Sequence, residues 1–276
     1  MIRTANFDRK GPPPITSQRL LKPIGRAYSA GDDYSLPRIG APPDVIWSTR
    51  LAPLLSQIQQ RFKADLVSVL LRGSVARGTA VDGVSDLDLV VVVCNPNQRD
   101  LKLALPGSPK LKIEAPQVNP DGLLGPDAHK RWLPFNLSFS GWTLYGRDII
   151  AELPPPSLGR HAIAHLPRAD RWLSSWEKEF LECSNEAHQK MICAWLMKRI
   201  VRSLFEAVMI KRRVYTRDIY PCAEIACSDY QEYAEHIWRA AELAVFPTAQ
   251  LSEIKTATHD LAPLLRSLAA EQNRLA

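Results

Sequence analysis

The chain has 276 residues, of which 46% are hydrophobic and 23% charged, and its formal net charge is +6. This balance is typical of a globular protein with one large or two ordinary domains, so collagen-like, coiled-coil and disulfide-framework classes are disfavoured. No apolar run reaches the roughly 18 residues of a transmembrane helix, no signal-peptide pattern is present and the five cysteines form no CxxC pair. We therefore expect a cytoplasmic protein with unpaired thiols and no membrane partner.

Residues 1–44 are predicted to form a basic arm rich in proline and glycine. Residues 1–40 contain seven basic and three acidic residues, so they carry most of the net charge. Such a segment buries little apolar surface, and we expect it to be extended or partly disordered. Two interpretations stay open. The arm could contact the phosphates of a nucleic acid, or it could dock on its own protein, which the composition favours.

The next segment alternates a helix with short strands. Apolar residues at helical spacing predict a helix that begins near Thr49 and ends at Phe62. Gly73–Ser85 is rich in small and turn-forming residues and is predicted to be a loop that could open a short helix. Apolar and alternating runs predict strands over Leu66–Leu71, Leu87–Val93, Leu111–Ala115 and Phe135–Tyr145.

The pattern changes at the three prolines Pro154–Pro156. After about Pro167 the apolar period is close to that of a helix. The predicted helices are Arg168–Cys183, Glu186–Lys211, Asp229–Val245 and Leu251–Gln272. The chain is thus predicted to have an α+β fold, in which a small mixed-sheet domain over residues 45–155 is followed by an all-helical domain over residues 156–276.

Two aspartates stand two residues apart at the start of the valine-rich strand. Side chains alternate along a strand, so Asp86 and Asp88 would point to the same face. Two carboxylates this close repel each other unless a cation lies between them. Oxygen ligands select a hard cation, and Mg²⁺ is the usual one where phosphates complete its coordination. The pattern therefore predicts a magnesium site at a strand edge.

The turn before this strand offers groups that bind phosphate. Gly73 allows the backbone to approach a ligand closely, and Ser74 adds a hydroxyl to the backbone N–H groups of the turn. Arg77 lies on the same loop, and eleven residues separate Ser74 from Asp86. The turn and the aspartates could therefore meet opposite ends of one nucleoside triphosphate.

This combination resembles the signature of the nucleotidyltransferase superfamily typified by DNA polymerase β. The matching residues are Gly73, Ser74, Asp86, Leu87, Asp88 and Leu89. Arg77, Gly78 and Ser85 are similar to the bacterial branch that adenylylates antibiotics and to its minimal relatives. The resemblance covers only a short segment. It implies a small mixed-sheet nucleotidyltransferase domain, two Mg²⁺ ions, and ATP or another nucleoside triphosphate as co-substrate.

The resemblance also implies a third carboxylate on a later strand. Glu114, in the sequence Ile113-Glu114-Ala115, fits this place and would be either the general base or a third metal ligand. The alternative is a charged residue on an exposed face beside Lys112. Asp121 and Asp127 are less suitable candidates, because both lie in segments rich in proline and glycine.

In the antibiotic-adenylylating relatives, a helical C-terminal domain lends basic side chains to the triphosphate. Arg202 and Arg217 resemble those positions by context alone, and Arg217 would replace a lysine. The alternative is a solvated basic end of a helix. The implied nucleotide-binding residues are Gly73, Ser74, Arg77, Ser85, Arg202 and Arg217. The implied catalytic and metal-binding residues are Asp86, Asp88 and Glu114.

The implied reaction is attack of an acceptor hydroxyl on the α-phosphorus of the triphosphate, with release of pyrophosphate. AMP is the expected group, and an aminoglycoside-like small molecule is the expected acceptor, because the length and two-domain layout suit it. A toxin-type enzyme that modifies tRNA or a protein is the alternative that the basic arm favours. A non-catalytic nucleotide-binding regulator is a second alternative, against which the intact Asp86 and Asp88 argue. The nucleotide, the acceptor and the oligomeric state stay open.

Overall fold

The computed structural model describes residues 21–97, 101, 103, 105 and 111–274. Residues 1–20 of the predicted basic arm lie outside this part. The described residues fall into two compact units, one of residues 30–162 and one of residues 21–29 with 163–274. None of the helices in the described ranges is both long and apolar enough to span a bilayer. The five cysteines form no disulfide, and Cys193 and Cys222 are buried.

The elements are numbered in chain order. The strands are β1 (Tyr28–Ser29), β2 (Leu66–Arg72), β3 (Leu87–Val93), β4 (Ile113–Glu114), β5 (Gln117–Val118), β6 (Trp142–Gly146) and β7 (Val214–Tyr215). The helices are α1 (Val45–Phe62), α2 (Gly73–Ala76), α3 (Pro120–Leu124), α4 (Trp132–Ser140), α5 (Ile149–Glu152), α6 (Ala169–Glu182), α7 (Glu186–Arg212), α8 (Ile219–Asp229), α9 (Ala234–Val245), α10 (Leu251–His259) and α11 (Leu261–Arg274).

The unit of residues 30–162 is built on a mixed sheet with the order β4-β3-β2-β6, in which β5 also pairs with β3. β2 is antiparallel to both β3 and β6, whereas β3 is parallel to β4 and β5. Helix α1 covers one face of this sheet, and the α1 residues in that core are Trp47, Leu51, Leu54 and Ile58. β2 and β3 are the central strands, so each of them pairs with a neighbour on both sides.

Helix α1 begins earlier than predicted. The side chain of Asp44 accepts a hydrogen bond from the backbone N–H of Trp47 at 3.0 Å, so the N-cap lies five residues before Thr49. The predicted strand over Phe135–Tyr145 is wrong in its first half, because α4 occupies those positions. Every residue from Pro134 to Ser140 is buried, so the run has no polar face to reveal a helical period. Strand β6 then follows directly after Gly141.

The second unit is helical apart from one small β-pair. Helix α7 is 27 residues long and packs against α6, α8 and α9. The predicted helices over Arg168–Cys183 and Glu186–Lys211 are confirmed with ends shifted by one residue. The single helix predicted over Leu251–Gln272 is two helices, α10 and α11. The α+β fold class, a mixed sheet unit with a helical C-terminal region, is confirmed.

The described part of the basic arm packs on the protein. β1 pairs antiparallel with β7, which places Tyr28 opposite Tyr215. Beside this pair, the Thr216 hydroxyl donates a hydrogen bond of 2.7 Å to the carbonyl oxygen of Arg26. In the sheet unit, the Arg38 guanidinium donates hydrogen bonds to two backbone carbonyl oxygens around α5. In the described part of the arm, the backbone carbonyl of Arg26 and the side chain of Arg38 are thus hydrogen-bonded within the fold.

Candidate active site

The end of β2 brings Gly73 against Asp88. The antiparallel register places Arg72 opposite Asp88, so the chain turns into α2 directly beside the aspartate. Gly73 has a φ of +79°, and a Cβ at this position would collide with Oδ2 of Asp88. Only glycine allows this backbone conformation without strain or displacement of the carboxylate. The structure therefore places Gly73 and Asp88, two of the predicted site residues, next to each other.

The short strand β4 brings the third predicted carboxylate to the same place. β4 is parallel to β3, and its register puts Glu114 opposite Asp88. The side chain of Asp88 is one-fifth exposed and that of Glu114 is 41% exposed, so solvent can reach both. Of the alternative acids, Asp127 pairs with Lys130 in an exposed ion pair. Glu114 is thus the acid that the sheet places beside Asp88.

Asp86 lies just before β3 rather than within it, because the strand begins at Leu87. Its charge nevertheless acts on the same group of side chains. Burial lowers the pKa of Lys112, but a hydrogen bond and the charge of Glu114, with the charges of Asp86 and Asp88, outweigh burial and hold that pKa above its ordinary value. All three predicted carboxylates therefore lie within electrostatic reach of Lys112.

Two cationic side chains compensate these acids. Nη2 of Arg72 lies 3.1 Å from Oδ1 of Asp88 and 3.3 Å from Oε2 of Glu114. Nζ of Lys112 lies 2.6 Å from the other oxygen of Glu114. Burial would raise the pKa of Glu114, but Lys112 and Arg72 outweigh burial and hold it below its ordinary value. Glu114 is therefore an ionised carboxylate.

Sequence reasoning did not assign a role to Arg72 or Lys112. Arg72 follows the buried pair Leu70 and Leu71 on a central strand and directly precedes Gly73. A charge at that position was a usable signal, because buried charges need partners. Lys112 stands two residues before Glu114, but only the parallel pairing of β4 with β3 shows that it faces the acidic group.

The carboxylates beside Gly73 offer oxygen ligands for a metal ion. Within residues 21–97 and 111–274 and the single described residues between them, no three His, Cys, Asp or Glu side chains are arranged to hold a metal ion. Asp88 and Glu114 do present carboxylate oxygens around one shared position, where Arg72 places a positive charge. Carboxylate oxygens around one cation position are the ligands that Mg²⁺ takes. The pair therefore fits a magnesium ion.

The remaining predicted residues of the loop shape the turn between β2 and β3. The carbonyl oxygen of Ser74 accepts a hydrogen bond of 2.9 Å from the backbone N–H of Thr79. The Ser85 hydroxyl accepts one of 2.9 Å from the backbone N–H of Val81, which closes the turn before Asp86. Arg77 ends α2, with its backbone N–H directed at the carbonyl of Gly73. Ser85 thus helps to place Asp86.

Arg202 and Arg217 belong to the helical unit. Nη1 of Arg217 lies 3.0 Å from Oε1 of Glu206, and the two side chains are only 7% and 1% exposed. Nη2 of Arg217 lies 2.8 Å from Nε2 of His165. Burial and the charge of Arg217 hold the pKa of His165 far below its ordinary value, so its neutral ring accepts this hydrogen bond. Nε of Arg202 donates to the carbonyl oxygen of Arg217 at 3.1 Å.

The second carboxylate oxygen of Glu206 closes this network. Oε2 accepts hydrogen bonds from the backbone N–H groups of His165 at 2.8 Å and Leu166 at 2.9 Å. Glu206 thus joins the C-terminal half of α7 to the segment before α6 and to Arg217. The resemblance singled out Arg202 and Arg217, and the structure joins both of them with Glu206 in one hydrogen-bonded group.

Comparison with protein families matches residues 52–131 to a nucleotidyltransferase domain. This stretch contains the Gly73–Ser74 turn and all three predicted carboxylates, and it ends just before α4. Comparison with curated proteins gives no match. The family match therefore covers the region in which Gly73, Asp88 and Glu114 come together.

Two solved structures resemble the chain. One is the crystal structure of spectinomycin adenyltransferase AAD(9) from Enterococcus faecialis with ATP and spectinomycin, with 13% identity and a TM-score of 0.52 over 79% of this chain and 99% of that one. The other is a nucleotidyltransferase-like protein from Exiguobacterium sibiricum, with 9% identity and a TM-score of 0.30 over 80% of this chain and 78% of that one. The first likeness extends to both compact units and shows a shared fold.

Proposed function

We propose that this chain is a nucleotidyltransferase of the superfamily typified by DNA polymerase β, and that it transfers a nucleoside monophosphate to a hydroxyl group of a small molecule. The donor is ATP or another nucleoside triphosphate, and pyrophosphate is released. The observation that carries the proposal is the register that sets Asp88 opposite Glu114 with Gly73 packed on Asp88. This geometry places carboxylates beside a turn that can approach a phosphate closely.

Asp88 and Glu114 are the proposed ligands for Mg²⁺, and Asp86 is proposed as a third ligand on the resemblance alone. Bound there, the metal would supply positive charge to the polyphosphate and polarise the reacting oxygens. Of the two roles for Glu114, its position opposite Asp88 favours that of a ligand, because both carboxylates face the same cation position. The protein's own contribution is to hold these acids on neighbouring strands of a rigid sheet.

The turn after β2 is the proposed holder of the triphosphate. Gly73 keeps the backbone close to the ligand, and Ser74, Arg77 and Ser85 supply polar and cationic groups on the same loop. A role of Arg202 and Arg217 in binding the triphosphate is proposed from the resemblance alone. Within the helical unit, the buried Arg217 side chain pairs with Glu206.

The acceptor is proposed to be an aminoglycoside-like compound. The likeness to an adenyltransferase crystallised with ATP and spectinomycin supports both ATP and a small acceptor. We expect that incubation with Mg²⁺ and α-labelled ATP, together with spectinomycin and an aminoglycoside panel, transfers label to at least one of these compounds. Mass spectrometry of the product should show the added mass of one AMP.

Parallel reactions make this assay decisive. A reaction with total tRNA and the protein itself as acceptors tests the macromolecular alternative, and one with chelator instead of Mg²⁺ tests the metal. Label on tRNA or protein alone would contradict the small-molecule proposal. Transfer that continues in excess chelator would contradict the role of Mg²⁺.

Substitution of Gly73 by alanine tests the contact between the turn and Asp88. The positive φ and the collision of the new Cβ with Oδ2 of Asp88 must displace the carboxylate or the turn. We expect Gly73→Ala to lower the rate of transfer by about 10²-fold, because a 1 Å misplacement of a catalytic group costs that much. Strain at the positive φ should also lower the free energy of unfolding by about 1–2 kcal/mol. Steady-state kinetics and denaturant unfolding measure the two effects.

Gly78→Ala is the matched control. Gly78 also has a positive φ, +68°, but no atom lies within 4 Å of a Cβ built there. This variant should lose similar stability and keep most of its activity. If both variants lost activity equally, the contact with Asp88 would not be the cause.

A further inference from the structure

Arg72 lies at the centre of the acidic pair, where a cation is expected. One nitrogen, Nη2, is within hydrogen-bond distance of a carboxylate oxygen of Asp88 and of Glu114. The Arg72 side chain is 14% exposed, so this contact is largely shielded from water. Coulombic attraction between partly buried groups is screened less than at the surface. A single positive charge therefore binds the two carboxylates together.

The position of Arg72 follows from the strand register. Arg72 is the last residue of β2 and faces Asp88, whose other neighbour in the sheet is Glu114. The guanidinium carbon also lies 5.8 Å from the centre of the Trp132 ring, within cation–π range. The backbone thus directs this side chain to the acidic pair before any ligand binds.

One hydrogen-bond donor of the Arg72 guanidinium has no acceptor among the described residues. Its Nε is buried and has no hydrogen-bond partner in the described part of the chain. A buried donor without an acceptor costs free energy, so the ion pair is weaker than a fully bonded one. An ion of higher charge that takes the same oxygens can therefore replace it.

We infer that Arg72 occupies the cation position between Asp88 and Glu114 and is displaced when a divalent metal binds, so that Arg72 sets the metal affinity of the site. The inference rests on the proposed function, since it takes these carboxylates as metal ligands. Arg72 is a positioning residue. It keeps Asp88 and Glu114 together while the site holds no metal, and a metal ion must compete with it for the same oxygens.

The charge balance predicts that removing Arg72 raises the affinity of the site for a metal ion. Asp88 and Glu114 pair with Arg72, and the charges of Asp86, Asp88 and Glu114 all act on Lys112. Removing Arg72 doubles the formal negative charge that faces an incoming metal ion. Since unit charges about 4 Å apart interact appreciably even near a protein surface, the metal should bind about tenfold more tightly or better.

The test is a titration of the full-length chain with Mn²⁺. Electron paramagnetic resonance measures the concentration of unbound Mn²⁺. Arg72→Met keeps an unbranched, flexible side chain but removes the guanidinium and its charge, and its Kd for Mn²⁺ should fall by about tenfold. Arg72→Lys keeps the charge, and its Kd should stay near the wild-type value. Arg147→Met is the control, because Arg147 pairs with Glu152 on the surface of the same unit and should leave the Kd unchanged.

Equal Kd values for the wild type and Arg72→Met would contradict the inference about Arg72 but not the proposed metal site. No binding of Mn²⁺ by Arg72→Met would overturn both the inference and the proposed metal site. A second measurement needs no variant of Arg72. Mg²⁺ added to the wild type should change the fluorescence of Trp132, because the Arg72 guanidinium leaves the ring. The fluorescence change is assigned to Trp132 if it is absent in Trp132→Phe. An unchanged Trp132 fluorescence at saturating Mg²⁺ would contradict the displacement of Arg72 by the metal.

Discussion

Replacing Asp88 by asparagine should abolish nucleotide transfer and leave the fold intact. Asparagine has the same shape, so it can keep its place against Gly73 and opposite Glu114. It lacks the charge that offsets Arg72 and that a metal ligand supplies. We expect the rate of transfer to fall by about 10³-fold or more, since electrostatic stabilisation of the transition state is the largest contribution in such sites. Label transfer at saturating ATP measures the loss.

The matched control is Asp82→Asn. Asp82 is an exposed aspartate on the same loop, paired with Arg50 at 2.7 Å, and it does not contact the acidic pair. This variant should retain activity. Circular dichroism and thermal melting should show that both variants fold. Near-normal transfer by folded Asp88→Asn would contradict the proposed site.

Replacing Glu206 by glutamine should strongly destabilise the helical unit. The change removes the charge that compensates Arg217, and both side chains are almost completely buried. It also weakens the hydrogen bonds to the backbone N–H groups of His165 and Leu166. Leaving one charge of a buried pair uncompensated costs about 3–5 kcal/mol of the free energy of unfolding. Denaturant unfolding followed by tryptophan fluorescence suits this test, because the unit contains Trp172, Trp176, Trp195 and Trp238.

Glu152→Gln provides the comparison for this prediction. Glu152 forms an ion pair with Arg147, but both groups are exposed and solvent screens their attraction. Its unfolding curve should overlay that of the wild type. A Glu206→Gln variant as stable as Glu152→Gln would show that Arg217 finds another partner or becomes solvated.

Local patterns were sufficient for the elements that carry the site. The valine run of β3 and the glycine-containing turn before it are visible in the sequence, since each depends on residues next to one another. Glu114 was also found, because an acid between apolar neighbours on a short strand is a local pattern. The long α7 was predicted within one residue for the same reason.

The pairing between strands was not predictable from such patterns. The contact of Arg72 with Asp88 and Glu114 depends on two registers, β2 with β3 and β3 with β4, that join residues up to 42 positions apart. Asp86 was expected to share a strand face with Asp88, but it lies directly before β3, whose predicted bounds Leu87–Val93 are confirmed. The two-residue strands β1 and β7 carry no alternation that a sequence could display.

The pairing of β1 with β7 has a consequence for synthesis on the ribosome. Residues 21–29 are translated first, but the partner strand Val214–Tyr215 emerges nearly two hundred residues later. The continuous unit of residues 30–162 can fold in the meantime, because domains generally fold as units from the N-terminal side. A fragment that starts at residue 163 would leave β7 without its neighbour and Asp218 without Gly25 and Arg26, so expression of the helical half alone requires residues 21–29 to be joined to it.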